Sequence, residues 1–311
     1  MIRAPGTGKP GAAVLRQPEP GEADAVQSVW EASLSFDDPG SWPRGGWSAS
    51  AWATDTRVLV LNQRILGVAA VRAELDADAT IPIRMALAVE ARQPRLARML
   101  VEGALELAAR VPGAARTRLW VPSRAEWAVA AAREAGLESV RSVAHMLLPA
   151  EIPTPEAAPV TGLRIRSMRA GEEVLVLDAL NRAWTGTWGF VRIPSDMLEQ
   201  DLEGQRDGML LGFLDDDARI VGTCHAVYEP SEQNPDGQPR AWISNLTVDP
   251  DHRRKGIARA MLVAGITRLR RLGATSITLG VDAGDVAPLR LYESVGFGVV
   301  SSVEAWDKEL G

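Results

Sequence analysis

Short runs of alternating apolar and polar residues recur along this chain, and they recur in the same order twice. "TRVLVLNQRILGVAAVRAE", residues 56–74, reads as two strands joined at Asn62-Gln63, with Gly67 in the second. "GMLLGFLDDDARIVGTCHAVYE", residues 208–229, repeats the pattern with an acidic turn and a return strand entered through Gly222. A third strand follows each hairpin: "IPIRMALAVEA" in the first half and "AWISNLTVDP", ended by a proline, in the second. Helical periods come next, in "RLARMLVEGALELAARV" and "GIARAMLVAGITRLRRLG". The latter places Ile257, Met261, Leu262, Ile266 and Leu269 on one stripe. Each half opens on a short strand, a Gly-Glu turn and a helical run, and closes on strand, loop, helix, strand.

The predicted order is β-α-β-β-β-α-β-α-β in both halves. The copies are offset by about 150–160 residues, far more than a solenoid unit of roughly 20–50 residues, so this is a duplicated domain. Between them "LLPAEIPTPEAAPVTG", residues 147–162, is proline-rich without periodicity and reads as an extended linker. The expected organisation is a domain over 14–148, a linker over 149–162 and a second domain over 163–311. The fold class is mixed α/β.

Composition narrows the partners. A chain of 311 residues suits about two domains. A net charge of −6 argues against a general nucleic-acid binder, while leaving room for a local anion pocket. Cys224 is the single cysteine, so no intramolecular disulfide can form. No apolar stretch is long enough for a spanning helix, and the first residues lack the apolar region of a secretory signal. A cytoplasmic protein without a membrane partner is expected. Three histidines and one cysteine show no ligand spacing, so no metal is expected.

Against that acidic background "HRRKGIARAM", residues 252–261, concentrates positive charge just before a helix. Unpaired N–H groups and the helix dipole favour an anion there, and small residues let the backbone close on it. No Gly-Lys-Ser/Thr ends the loop, so it is not a Walker loop. "GTGKPG", Gly6 to Gly11, matches a dinucleotide fingerprint literally, but it follows no strand and Pro10 blocks the helix start, so it reads as a false positive.

"LTVDPDHRRKGIARAML" resembles the acetyl-CoA loop of the GCN5-related N-acetyltransferase (GNAT) family, usually Gln/Arg-x-x-Gly-x-Gly/Ala. "VDAGDVAPLRLYESVGF" resembles the family's second signature, Asn-x-x-Ala-x-x-x-Tyr-x-x-x-Gly-Phe. The resemblance covers most of 163–308 and implies two tandem GNAT-type domains, each a central mixed sheet flanked by helices, as an intramolecular pseudo-dimer. It implies acetyl-CoA as cosubstrate, held by Arg253, Arg254, Lys255, Gly256, Ile257 and Ala258, with the diphosphate on the amides of Arg254 to Ala258. The pantetheine arm would pair with the backbone of Leu246, Thr247 and Val248 where two parallel strands splay.

Tyr292 stands at the family's tyrosine position and is the candidate general acid, the alternative being a core aromatic. Asp285 replaces the family's asparagine, as a helix cap first and a cofactor contact second. The family's strand glutamate is missing before the loop. Candidate bases are therefore Glu229 and His225 on the preceding strand, or water relayed through Ser244 or Asn245. His252 would touch phosphate or solvent. The family borders its acceptor site with the segment after the first helix, here "NRAWTGTWGFVRIPSD", so Trp184, Trp188 and Phe190 are candidate substrate contacts. Cys224, mid-strand with nothing to lower its pKa, is an unlikely nucleophile.

The first half looks like a retired copy. Its loop "RQPRLA" lacks glycine and is interrupted by Pro94, leaving Arg92 and Arg95 as the only cations, and Ala132 stands where Tyr292 would. "FDDPGSWPRGGWSASAW", residues 36–52, is a candidate aromatic surface for the acceptor cleft. The tandem arrangement is also similar to that of the mycothiol synthases, except that Trp242 lies near the position of their strand acid. The expected function is acetyl transfer from acetyl-CoA to a primary amine of a small molecule, directly in a ternary complex. Rivals are a non-catalytic acyl-CoA-binding module, mycothiol-synthase-like acetylation of a cysteinyl conjugate, and protein acetylation.

Overall fold

A computed structural model describes residues 12–37, 56–71, 75, 78–156, 158–190, 192–215, 219–234 and 236–311. The "GTGKPG" stretch and residues 38–52 of the aromatic segment lie outside these. The chain divides into two units, one of residues 1–142 with 301–311, the other of residues 143–300.

The first unit contains β1 (Val14–Arg16), α1 (Ala23–Asp37), β2 (Thr56–Leu61), β3 (Arg64–Val71), β4 (Thr80–Leu87), α2 (Pro94–Ala108), β5 (Arg116–Pro122) and α3 (Glu126–Glu134). Strand β6 (Glu138–Leu148) begins in this unit and ends in the second. The second unit continues with β7 (Leu163–Ser167), α4 (Glu173–Trp184), α5 (Ser195–Leu202), β8 (Met209–Leu214), β9 (Gly222–Gln233), β10 (Pro239–Val248), α6 (Ile257–Arg271), β11 (Ile277–Asp282) and α7 (Val286–Glu293). Strand β12 (Gly298–Glu309) closes the chain. The expected order holds in both halves, and α5 is an addition to it.

Pairing explains where the units divide. In the first unit β1 to β5 pair in sequence, antiparallel except for β4 with β5. The next place is taken by the end of the chain, with Val303 against Pro122 through Glu309 against Arg116. In the second unit β7 to β10 pair antiparallel in sequence and β10 pairs parallel with β11. There the next place belongs to Val143–Leu148, with Leu148 against Ile277. Each unit thus closes on a strand from the other half of the sequence. The boundaries read at 148 and 163 are corrected accordingly: hydrogen bonding assigns 143–148 to the second unit and 301–311 to the first.

Local chemistry accounts for the repeat. Asn62 and Gln63 both take positive φ (51° and 62°), giving the two-residue turn whose twist suits a hairpin. At the start of each copy one arginine–glutamate staple ties the first strand to the first helix. Arg16 donates both terminal nitrogens to Glu22, at 2.8 and 2.7 Å, and Glu22 accepts from the Glu19 amide. Arg166 does the same to Glu172, at 2.8 and 2.6 Å, with the Arg169 amide in the third role. These bonds hold both glutamate carboxyls down to about 2.

Two cores result. In the first unit Leu59, Ile81, Leu87, Leu100 and Leu119 are fully buried between sheet and α2. In the second, α6 buries the expected stripe Ile257, Met261, Leu262, Ile266 and Leu269 against β8 to β11. At about 1.5–3 kcal/mol per buried side chain this stripe contributes on the order of 10 kcal/mol. That fixes the start of α6, whatever conformation the preceding loop adopts. Close approach demands glycine at Gly222, where an added Cβ would meet Ile257 Cγ2 at 3.1 Å and Met261 Cγ at 3.2 Å.

Candidate active site

The site grows from an irregularity in β10. Ser244 pairs with His225 and Thr247 with Thr223, so β10 carries one more residue than β9 between these pairs. The bulge contains Asn245 at φ 46°, a left-handed conformation that asparagine tolerates better than most residues. Thr223 is buried and pins the bulge, donating to the Asn245 carbonyl and lying 2.7 Å from the Thr247 hydroxyl. The bend has a consequence on the other side. Parallel pairing with β11 covers Trp242–Thr278 and Ile243–Leu279 and goes no further. Beyond Ile243 the β11-facing backbone of β10, including Leu246, Thr247 and Val248, is free of that partner strand.

The strand then runs into a strained loop. Asp249 accepts the Asp251 amide at 3.0 Å and starts a 3-10 turn over Pro250–His252. Arg254 takes φ 63° and Gly256 φ 81°. Gly256 occupies the N-cap position of α6 without any side-chain cap. The first amides of α6 therefore have neither an intrahelical nor a capping partner. They converge beside the splayed end of β10, and the helix dipole adds positive potential.

The cations around this loop differ in role. Arg254 is exposed, and its side chain has no partner among the described residues. Lys255 donates to the Asp251 carbonyl at 3.2 Å from an exposed position. Arg253 is committed to structure: its guanidinium donates to the Val248 carbonyl at 3.3 Å and the Ala183 carbonyl at 2.9 Å. His252 turns toward Asp249, with Nδ1 at 3.5 Å from its carboxylate. Ile257 is buried under the loop and Ala258 is half-buried in the first turn.

Tyr292 lies on α7, buried, with Phe297 edge-on at 6.1 Å between ring centres. Its hydroxyl has no hydrogen-bond partner among the described residues. Burial above all, then Cys224 and Asp285, raise its pKa, so the phenol stays protonated at neutral pH. Cys224 sits between the paired residues Thr223 and His225 on β9, opposite the bulge, and shares a core with Tyr292. Burial pushes the Cys224 thiol up to about 12, which leaves it a core residue. Asp285 occupies the N-cap position of α7, but its side chain makes no cap hydrogen bond, contrary to its expected first role.

The two side-chain bases fare differently from expectation. His225 is buried, with Nε2 at 3.2 Å from the Gln205 carbonyl, and burial lowers its pKa. Strand alternation turns it away from Cys224 and α6. Glu229 pairs with Arg240 across the hairpin, at 3.2 Å between their charged atoms. Arg240 also contacts Glu232 and lies 5.2 Å from the Trp242 ring centre. From Arg240 to Asn245 the strand advances roughly 17 Å at about 3.4 Å per residue. The structure therefore brings neither His225 nor Glu229 to the splay on the α6 side. Ser244 and Asn245 are at the bulge itself.

The aromatic segment follows α4. Trp184 packs on the core formed by α4, α5 and β8, Trp188 is exposed and Phe190 half-buried. Asn181 is buried and closes the segment by bonding both the Ile193 amide and carbonyl, at 2.8 and 3.1 Å. Sequence reasoning missed Arg182 and Asp249, which join at 2.7 Å. The aspartate directly before the loop proline was the available signal.

The first unit lacks these features. β4 runs against β3 without a bulge, and it pairs with β5 over four positions, from Thr80–Arg116 to Ile83–Leu119. Its loop leads to Gln93 and Pro94 with no left-handed residue, and Arg92 donates to the Leu87 carbonyl at 3.4 Å. Ala132 is buried in the core.

Known proteins resemble this chain in sequence and in fold. The model of the acetyltransferase (GNAT) family matches residues 175–297. A mycothiol acetyltransferase of Acidothermus cellulolyticus is 30% identical over 71% of this chain and 70% of its own length. The chain belongs to the GNAT acetyltransferase family. A second mycothiol acetyltransferase, from Propionibacterium freudenreichii subsp. shermanii, is 33% identical over 55% of this chain. That match spans about half of the relative's own length, 54%. A GCN5-related N-acetyltransferase from Sphaerobacter thermophilus shares the fold, with a TM-score of 0.74 over 96% of both chains at 20% identity. The matched region thus runs from within α4 past the end of α7 and includes the bulge, the loop and Tyr292.

Proposed function

We propose that the second unit transfers an acetyl group from acetyl-CoA to a primary amine of a small molecule. The observation that carries this reading is the uncapped, glycine-opened start of α6 directly after a strand that bulges away from its parallel neighbour. The amides of Arg254 to Ala258 suit a diphosphate, and the freed backbone of Leu246 to Val248 suits an amide-bearing arm. Family membership supports acetyl-CoA as the molecule that has both.

Tyr292 supplies the proton. Its buried phenol stays protonated and is otherwise unbonded, so it can donate to the thiolate as the carbon–sulfur bond breaks and the carbon–nitrogen bond forms. The proton lost by the amine goes to water held at Ser244 and Asn245. Trp184, Trp188 and Phe190 form the acceptor side. The first unit serves as scaffold, because its loop offers no cradle.

The relatives' name makes a cysteinyl conjugate of the mycothiol type the first acceptor to try. Trp242 lies near the strand position where the resemblance leads one to expect an acid. The experiment is a thiol-release assay with acetyl-CoA over a panel of amines including such a conjugate. Acetylated product is expected, with the rate collapsing in Tyr292→Phe. CoA binding without turnover of any amine would favour the binding-module reading.

A further inference from the structure

Asp249 is nearly fully buried, yet it belongs to no part of the chemistry described above. Its carboxylate accepts from Arg182 Nε at 2.7 Å and from the Asp251 amide, lies 3.5 Å from His252 Nδ1, and has Arg219 at 4.0 Å. Burial works against its charge, but the bonds from Arg182, Asp251 and His252 prevail and hold its pKa below the ordinary value. Arg182 comes from the last turn of α4, and its second donor bonds the Ile220 carbonyl at 3.3 Å. A tie also runs the other way. Arg253 of the phosphate loop reaches back to the carbonyl of Ala183, the residue after Arg182. Two arginines, one from each side, therefore join the end of α4 to the end of β10.

The aromatic segment starts where these ties fall. Trp184 ends α4, and Asn181, one residue before Arg182, closes the segment at Ile193. A shift of the phosphate loop pulls on the root of Trp184–Phe190, because a buried carboxylate that parts from Arg182 loses its shortest charged contact.

We infer that Arg182, Asp249 and Arg253 are positioning residues that couple the phosphate loop to the aromatic acceptor segment, so that CoA binding orders Trp184–Phe190. The inference rests on the CoA reading above. Coupling of this kind is reciprocal, so loss of the tie also weakens CoA binding, by about fivefold or more.

Hydrogen–deuterium exchange of the full chain with and without CoA tests it, beside calorimetric titration of CoA and thermal unfolding. In the unaltered protein CoA is expected to slow exchange at both 249–258 and 184–190. In Arg182→Gln and Asp249→Asn, CoA still slows 249–258, but the protection at 184–190 disappears. Arg182→Lys, which keeps the charge, restores part of it. Should the buried-site variants fail to unfold cooperatively, Arg253→Gln removes the Ala183 and Val248 ties from an exposed side chain and is expected to lose the same protection. Equal protection of 184–190 in the variants, or none in the unaltered protein while CoA binds, overturns the coupling. Absence of any CoA binding by calorimetry overturns the reading beneath it, and the coupling with it.

Discussion

Replacing Gly256 by alanine asks the phosphate cradle to form with a Cβ in the left-handed region. The residue sits at φ 81°, and the added carbon would meet Val160 Cγ2 at 3.4 Å, an ordinary contact. The penalty is therefore conformational and not steric, about 1–2 kcal/mol for a left-handed L-residue. Residues 254–256 are exposed and the Arg254 side chain has no partner among the described residues, so little holds this part of the free loop in that state. The free loop relaxes, and the strain must be restored whenever an anion is bound. CoA affinity should fall by about 5- to 30-fold, the equivalent of 1–2 kcal/mol. Gly204→Ala is the control. It has φ 68° with no atom within 4 Å of an added Cβ, and it lies after α5, outside the loop. It should lower the melting temperature by about 2–8 °C and leave CoA affinity unchanged. Isothermal titration with CoA measures both variants. Unchanged affinity in Gly256→Ala, or an equal loss in both, would refute the assignment of the cradle to this loop.

Tyr292→Phe should lower the turnover rate by about 10²–10⁴-fold while leaving the melting temperature in place, since the hydroxyl gives up no bond among the described residues; steady-state kinetics and calorimetric melting check the pair. His225→Gln should keep the rate within about tenfold, because strand alternation turns the imidazole to the face away from Cys224 and α6; a loss on the general-base scale would reinstate it. Gly222→Ala should cost about 1–3 kcal/mol through overpacking against Ile257 and Met261, read in denaturant melts. Both stapled glutamates have folded pKa values of about 2, below the ordinary 4.5. Their stabilisation is therefore present above about pH 4.5 and lost as pH falls toward 2, and Glu172→Gln should flatten that part of an acid-unfolding curve.

The duplication was legible because it is written in local patterns. The Gly-Glu turns, the Asn62-Gln63 hairpin and the α6 stripe depend on residues near each other, and all of them form as read. The loop before α6 was legible for the same reason: its charge, glycine and helix start adjoin. Strand exchange was not legible. Residues 143–148 and 301–311 look like strands in either unit, and only pairing across more than a hundred residues decides their place. The bulge left one trace, Asn245 amid an apolar strand, which no Gly or Pro reinforced. The face of His225 and the distance of Glu229 were not legible, because sequence gives only a strand. Arg182 and Asp249 meet through the fold alone, since neither sits in a local motif.

The most direct measurement is a crystal structure of the full chain with acetyl-CoA. The account predicts diphosphate oxygens within hydrogen-bonding distance of the amides of Ile257 and Ala258, the acyl arm along Leu246 to Val248, and the sulfur beside the Tyr292 hydroxyl. Acetyl-CoA bound instead at the loop between β4 and α2, or lying away from the start of α6, would contradict it.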